Sequence, residues 1–186
     1  MSKGQETASL ENTGHAAILH YLEDALAAEK GAEAQLRAFA AEGDDDDVKQ
    51  SFAAHAEESQ VQSQHLAKRL EELGGDPQVS ARNLASPPPV LPMALAAEER
   101  MVQNLLAAYT EEATECAMYQ VLIDIARGAG DEATVDLARI IQAEAHRAAD
   151  KFWSFIPSRS IIAYNILTIG EIDPSVETKV GEVSWT

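Results

Sequence analysis

The stretch DPQVSARNLASPPPVLP, residues 76–92, divides a chain of 186 residues into two long helix-forming halves. Proline lacks an amide hydrogen and its ring clashes with the preceding turn, so we expect no helix across this stretch. The segments on either side are rich in Ala, Leu, Glu and Gln, which favour helix. A long connection flanked by two short ones predicts two helical hairpins joined by a crossover, which is a four-helix bundle.

Four helices are predicted, at residues 14–42, 45–73, 92–128 and 131–155. Gly74 and Gly75 end the second helix, and Gly128–Gly130 separate the third from the fourth. The short turns make each hairpin antiparallel, and the crossover lets helices two and three run parallel. The predicted fold class is therefore all-α, an antiparallel four-helix bundle over residues 14–157.

Both termini differ in composition from the bundle. Residues 1–13 are small and polar and are predicted to form a flexible arm. From Ser158 the chain becomes richer in β-branched residues, so residues 158–186 are predicted to form an extended tail, with a short strand or extended segment at Ile161–Ile169. The string LTIG, Leu167–Gly170, resembles the start of peptides that dock cargo inside encapsulin shells.

The charge balance excludes some functions. With 31 acidic and 14 basic side chains the formal net charge is −17, which disfavours binding to nucleic acid or to anionic membranes. No segment approaches the roughly 20 apolar residues of a membrane span, and no signal peptide is recognised. The single cysteine, Cys116, rules out an internal disulfide framework. We expect a soluble, cytoplasmic protein.

Acidic residues interrupt the apolar stripe of each predicted helix near its middle. At about 100° per residue, Glu29 falls between Leu26 and Leu36 on helix one, and a polar block on helix two falls between Phe52 and Leu66. The candidate metal-ligating residues are Glu29, His55, Glu58, Gln62, His65, Glu112, Glu115 and Glu144. Each alone is more simply a residue at the edge of its stripe, but carboxylates at matching depth on four helices favour a shared site.

Several ionised carboxylates are costly in a dry interior. They need protons, basic side chains or a cation, and Lys and Arg are scarce on these stripes. Carboxylate with imidazole suits iron or manganese. The sequence thus predicts one or two such ions in the core. His146 and Asp150 have chelate-like spacing but project to the opposite face, and Cys116 is expected to be a small buried side chain.

Four segments in order carry a resemblance to a known family. They are ALAAEKGAEAQL, HAEESQVQSQHLAKRLEELG, EATECAMYQVLIDIA and DEATVDLARIIQAEAHRAADKF, within about residues 15–155. They resemble the ferritin-like stress-response proteins of the YciF type, which implies a four-helix bundle, a homodimer and a dinuclear metal site. The resemblance matches Glu29, Glu58, Glu115 and Glu144 to acidic residues that face the bundle centre.

The sequence departs from the ferritin pattern at the imidazole ligands. Ferritins and rubrerythrins carry His three residues after Glu on helices two and four, whereas Val61 follows Glu58 here and Arg147 follows Glu144. Gln62 takes the next inward position on helix two. Two functions therefore stay open: a metal-binding protein with oxidative chemistry, or a metal-free helical interaction or stress protein, including a shell cargo docked by its tail.

Overall fold

The computed structural model describes residues 3–80, 94 and 96–169, and the side chains of residues 12–78, 94 and 96–168. Its helices are α1 (Lys3–Glu42), α2 (Asp46–Glu72), α3 (Pro77–Ser80), α4 (Ala97–Ala129) and α5 (Glu132–Ile169). The four long helices form the predicted all-α bundle. None of the described helices combines the length and apolar character needed to cross a membrane.

Side-chain contacts fix the direction of each helix. Hydrogen bonds join His55 to Glu112 across the core and Arg69 to Thr134 between α2 and α5. Asn104, near the start of α4, bonds Glu42 at the end of α1. The two hairpins, α1–α2 and α4–α5, are antiparallel, and α2 runs parallel to α4, as predicted.

The helix boundaries have local causes. The side chain of Asp45 accepts a hydrogen bond from the Val48 amide at 3.1 Å and caps α2, while Asp46 and Asp47 follow in the first turn. Gly130 ends α4 with φ +77°, a left-handed conformation that favours glycine. The Asp131 carboxylate accepts from the Thr134 amide at the start of α5.

Arg69 links the two hairpins near these boundaries. Its guanidinium donates to Asp131 at 2.6 Å and to the Thr134 hydroxyl at 2.9 Å. The end of α2 is thereby fixed to the start of α5.

Three expectations about the connections and termini were wrong. Residues 3–13 are the first turns of α1 and not a loose arm. Pro77–Ser80 form one helical turn, because proline is tolerated in the first turn of a helix. Residues 158–169 continue α5 through Pro157 and are not an extended tail or strand. Residues 81–93 and 170–186, with Gly170 of LTIG, lie outside the described residues.

Packing explains why α5 passes through its proline. Phe155, Arg159 and Ala163 are 2, 2 and 5% exposed, so burial against the bundle outweighs one lost helical hydrogen bond. The Arg159 guanidinium lies over the Phe155 ring and bonds the Asp45 carboxylate at 2.9–3.0 Å. The end of α5 is thereby joined to the turn between α1 and α2.

Replacing Arg159 tests this continuation of α5. Arg159→Leu should lower the free energy of unfolding by about 2–4 kcal/mol, because it removes a buried cation from an ion pair and leaves Asp45 without that partner. Arg139→Leu, at a half-exposed arginine, should change it by less than about 0.5 kcal/mol. Urea denaturation measures both, and equal small losses would show that residues 158–169 do not pack as described.

Candidate metal centre

A polar layer crosses the middle of the bundle between two apolar clusters. One cluster includes Leu22, Leu66 and Leu122, and the other includes Phe39, Phe52 and Phe152. The buried polar residues between them are Glu29, His55, Ser59, Gln62, Ser63, Glu112 and Glu115. The carboxylates come from α1 and α4, and the imidazole comes from α2.

His55 is the charged centre of this layer. Its Nε2 lies 2.7 Å from Glu112 Oε1 and its Nδ1 lies 2.9 Å from Glu58 Oε2. Burial alone would lower the pKa of His55, but the hydrogen bonds to Glu112 and Glu58 and their negative charges raise it to about 9. Near neutral pH the imidazole is therefore a cation that donates to a carboxylate on each side.

A second hydrogen bond joins α1 to α4. The Tyr119 hydroxyl donates to Glu29 Oε1 at 2.5 Å, and both residues are fully buried. Burial raises the pKa of Glu29 to about 7, against the opposing effect of the Tyr119 hydrogen bond. Burial and the Glu29 charge raise the pKa of Tyr119 well above its usual range. Tyr119 thus remains a neutral donor, and Glu29 is poised between its two protonation states.

The pKa values of two further glutamates of α4 are also raised by burial. Glu115 is 4% exposed, and burial together with the Glu29 and Glu112 charges raises its pKa well above the usual value. Burial and the Glu112 charge raise the pKa of Glu111 to about 7. Buried carboxylate oxygens of Glu29, Glu111, Glu112 and Glu115 have no hydrogen-bond partner. These oxygens are free to accept a proton or a cation.

Of the remaining candidates, Gln62 is buried, whereas Glu58, Glu144 and His65 reach solvent. Gln62 is buried and donates to Glu144 Oε2 at 3.0 Å. The side chains of Glu144 and Glu58 are 32 and 59% exposed. His65 is exposed and is not brought to the others. Glu58 therefore reaches the layer only through its bond to His55.

The residues assigned away from the site lie where the sequence places them. His146 and Asp150 are exposed on the outer face of α5, and Cys116 is buried. The Cys116 carbonyl accepts a hydrogen bond from the Gln142 side chain. Burial raises the pKa of the Cys116 thiol, so it is less available as a thiolate than an exposed cysteine.

The donor set fits iron or manganese in its chemistry, although its side chains are not grouped as ligands. Within residues 3–80, 94 and 96–169, no three His, Cys, Asp or Glu side chains are already placed together around a possible metal position. The partnerless oxygens of Glu29, Glu112 and Glu115 are hard donors suited to these ions. His55 would have to lose a proton and one carboxylate bond before a ring nitrogen could coordinate.

The family of the chain follows from its sequence. A family described as "Domain of unknown function (DUF892)" matches residues 15–161. This is most of the chain, which therefore belongs to that family. A comparison with curated proteins gave no match.

Solved structures with a similar fold include proteins from three organisms. A protein from Xanthomonas campestris pv. campestris is 24% identical, with a TM-score of 0.67, covering 85% of this chain and 98% of its own. The bacterioferritin of Desulfovibrio desulfuricans, whose structure contains a diiron site, is 18% identical, with a TM-score of 0.68 and coverages of 94 and 96%. A candidate structural protein of Rhodopseudomonas palustris, called YcfI, is 22% identical, with a TM-score of 0.59 and coverages of 73 and 90%.

These likenesses confirm the ferritin-like bundle. At such identities they show the fold alone, and none of the three relatives confirms the YciF type.

Two contributors to the layer were missed from the sequence. Tyr119 lies two turns after Glu112 on the same face of α4, and its hydroxyl bonds Glu29. Glu111 directly precedes Glu112 and is half-buried. The sequence feature that indicates both residues is the run from Glu111 to Tyr119. Its polar groups cover more of the helix surface than a single inward stripe would.

The pKa shifts predict how the stability of the metal-free protein depends on pH. On folding, the pKa of Glu29 rises from 4.5 to about 7. The resulting stabilisation of the folded state is complete below pH 4.5 and is lost as the pH rises to 7. The pKa of His55 is raised from 6.5 to about 9, so its stabilising contribution to the folded state is lost as the pH rises from 6.5 to 9. Stability should therefore fall continuously from pH 5 to pH 9, with Glu29 accounting for roughly 3 kcal/mol.

Urea denaturation in the presence of a chelator measures this slope. Glu29→Gln imitates the protonated carboxyl and should flatten the curve between pH 5 and 7. Glu57→Gln, at an exposed glutamate one residue before Glu58, removes the same charge and should leave the slope as it is. A wild-type stability that rises over this range would contradict the assignment of protons to the layer.

Proposed function

We propose that this protein is a ferritin-like metal-binding protein that holds one or two iron or manganese ions in its polar layer. The single observation that carries the proposal is the set of buried, partnerless carboxylate oxygens on Glu29, Glu112 and Glu115. Metal-free, the layer balances these acids with one imidazolium and with bound protons. A divalent cation bound by these carboxylates would take the place of several protons.

Charge balance supports a cation over a purely protonated core. Burying a carboxyl raises its pKa because ionisation is costly in low dielectric, and three glutamates of the layer have shifted far in this direction. Keeping so many acids in the core lowers stability at neutral pH. A site for a cation gives these same residues a use in which their ionised form is favourable.

The residues proposed to hold the ions divide into an inner and an outer set. Glu29, Glu112 and Glu115 form the inner set, with His55 as the nitrogen ligand after loss of its proton. Glu58 and Glu144 form the outer set, since both side chains reach solvent and turning inward would bring them toward the layer. Gln62 would orient Glu144 through its amide donor. His65 requires the largest rearrangement of the predicted ligands.

Bound iron or manganese would supply redox chemistry toward oxygen or peroxide, consistent with the proposed stress-protection role. In this chain the Tyr119 hydroxyl donates to the Glu29 carboxylate and holds it in place, and the His55 imidazole lies 2.7 Å from the Glu112 carboxylate. Phe52 and Leu66, both buried, exclude water above and below. A YciF-type identity, a homodimer and a cytoplasmic location belong to the same proposal.

One specific observation favours the alternative of a metal-free helical protein. Both ring nitrogens of His55 already bond to carboxylates, so this part of the layer is satisfied without metal. In that case the hydrogen bonds serve to fix the packing of the helices, and the protein acts by interaction. Shell docking through the C-terminal tail concerns LTIG, of which Leu167 is exposed and Gly170 lies beyond the described chain.

Metal-dependent thermal unfolding separates the two functions. Ferrous or manganous ion at a hundredfold excess over its dissociation constant should stabilise the fold by about 2.7 kcal/mol and raise Tm by several degrees. Glu115→Gln keeps the shape of the protonated side chain, so it should preserve Tm without metal and lose most of the metal-induced increase. Glu57→Gln should retain the increase, and an unchanged wild-type Tm with either ion would reject metal binding.

Two variants on different faces of α5 test which face of this helix holds the metal. Metal content after reconstitution should fall in Glu144→Ala, because its carboxylate bonds Gln62 in the layer, and should stay at the wild-type level in His146→Ala, whose side chain is exposed. Elemental analysis gives both values. The reverse pattern would place the metal on the outer face of α5.

Proton release accompanies the proposed binding. Because burial raises the pKa of Glu29 to about 7 and the pKa of Glu115 well above its usual value, manganous ion should displace at least about one proton per ion, and its affinity should rise from pH 6 to pH 8. Calorimetric titration in two buffers of different ionisation enthalpy counts these protons. Binding without proton release would mean that the ion occupies the exposed acidic surface.

A further inference from the structure

The outer surface of α4 differs in charge from the outer surfaces of the other long helices. From Met101 to Ile123 the charged side chains are all glutamates of the polar layer, which are buried or half-buried. About six turns of this helix therefore carry no exposed charge. By contrast, Arg37 on α1, Glu57 on α2 and Arg139 on α5 are exposed. On a chain whose net charge is −17, this stretch of α4 is a neutral surface.

Six exposed residues form this surface, which we call the α4 face. They are Leu106, Thr110, Ala113, Thr114, Ala117 and Val121. Their spacing of three or four residues places all of them on one side of the helix. Gln120, the other exposed residue of the stretch, lies at the edge toward α5, where its side-chain oxygen accepts a hydrogen bond from Gln142.

The α4 face is more apolar than its two threonines suggest. The Thr110 hydroxyl donates to the Leu106 carbonyl and the Thr114 hydroxyl donates to the Thr110 carbonyl, both at 2.8 Å. The hydroxyls are thus satisfied within the helix, and each threonine offers mainly its methyl group to a neighbour. Leu106 and Val121 are 52 and 42% exposed, so large aliphatic side chains stand at both ends of the face.

The residue pattern of the α4 face is symmetric about its middle. Leu106 and Val121 are equally far in sequence from the midpoint between Ala113 and Thr114, and the residues between them are small. An interface between two identical copies requires such a self-complementary surface, because the same patch is used by both copies. In an antiparallel pair, Leu106 of one copy meets Val121 of the second copy, and the small residues let the helices approach closely.

The charges at the ends of α4 favour the antiparallel direction. Glu98 and Glu99 lie in the first turn and Arg127 lies in the last turn. An antiparallel pair brings Arg127 of each copy toward the two glutamates of the other, whereas a parallel pair places like charges together. A neutral central surface also lets two strongly acidic molecules meet without facing charges of the same sign.

We propose that two copies of this chain associate through their α4 faces as an antiparallel pair. This pairing gives a surface to the homodimer that is part of the proposed function, and it requires no metal.

Sedimentation equilibrium of chelator-treated protein tests the association. The mass should rise from 20.0 kDa toward twice that value as the concentration increases. The dissociation constant should be on the order of 10 μM, because a contact of one helix per copy lies at the small end of specific interfaces. Ala113→Glu brings two carboxylates together at the centre of the contact and should weaken association at least about tenfold. Ala53→Glu adds the same charge at an exposed alanine of α2 and should change it by less than about threefold.

A charge pair tests the antiparallel register. Leu106→Glu and Val121→Lys should each weaken association. The double variant should associate at least about threefold more tightly than the product of the two single effects predicts, because each new glutamate meets a lysine of the second copy. Within one chain these positions are about 22 Å apart along the helix, so the coupling can arise only between copies. Circular dichroism of each variant checks that the helices are retained.

Three results would contradict the pairing. They are a monomer at about 200 μM, twentyfold above the expected dissociation constant, equal effects of the two alanine variants, and an absence of coupling in the charge pair. The first result would leave the α4 face to a different partner. Because no metal is present in these measurements, their failure is distinguishable from a failure of metal binding.

Discussion

The structure depends on the cost of burying carboxylates with a single imidazole between them. Glu29, Glu112 and Glu115 are at most 4% exposed, and within the described part of the chain His55 is the basic side chain that offers them a positive charge. In low dielectric, ionised groups without partners are costly, and like charges add to that cost. The chain meets this constraint with raised pKa values on Glu29 and Glu115, a cation on His55 and a hydrogen bond from Tyr119. The hydrogen bonds from His55 to Glu112 and from Tyr119 to Glu29 join neighbouring helices and so help to define their register.

The apolar clusters on either side give the polar layer its position. A leucine-rich cluster lies toward the α4–α5 turn and a phenylalanine-rich cluster lies toward the α1–α2 turn. Shifting one helix by a turn would move a carboxylate into an apolar cluster. The layer therefore contributes specificity of packing at the expense of stability, a use of buried polar groups that is known in other helical assemblies.

The sequence predicts the helices, their direction and the depth of the acids, because these depend on periodicity and connection length. Glu29, His55, Glu112 and Glu115 were placed inward by the phase of neighbouring Leu and Phe residues, and the structure buries all four. The run from Ser158 was misread, since β-branched composition and Pro157 outweighed packing that is visible only in three dimensions. The Arg159–Asp45 contact joins residues 114 positions apart, and no local pattern contains it.

The sequence also did not predict that the side chains of Glu58 and His65 are exposed. Both lie at the edge of the α2 stripe, where a small rotation of the helix decides between core and solvent, and the close approach of His55 to Glu112 sets that rotation. Periodicity gives the angle of a residue on its own helix, but not the tilt of that helix against its neighbours.

The polar layer has one dry and one wet side, and this asymmetry connects its features. The α1–α4 side contributes the fully buried acids and Tyr119, whereas the α2–α5 side contributes Glu58 and Glu144, whose side chains reach solvent. The dry side holds its carboxylates in place through Tyr119 and tight packing. His55 stands between the two sides, with one ring nitrogen bonded to the buried Glu112 and the other to the exposed Glu58, so its imidazole is the structural link between them.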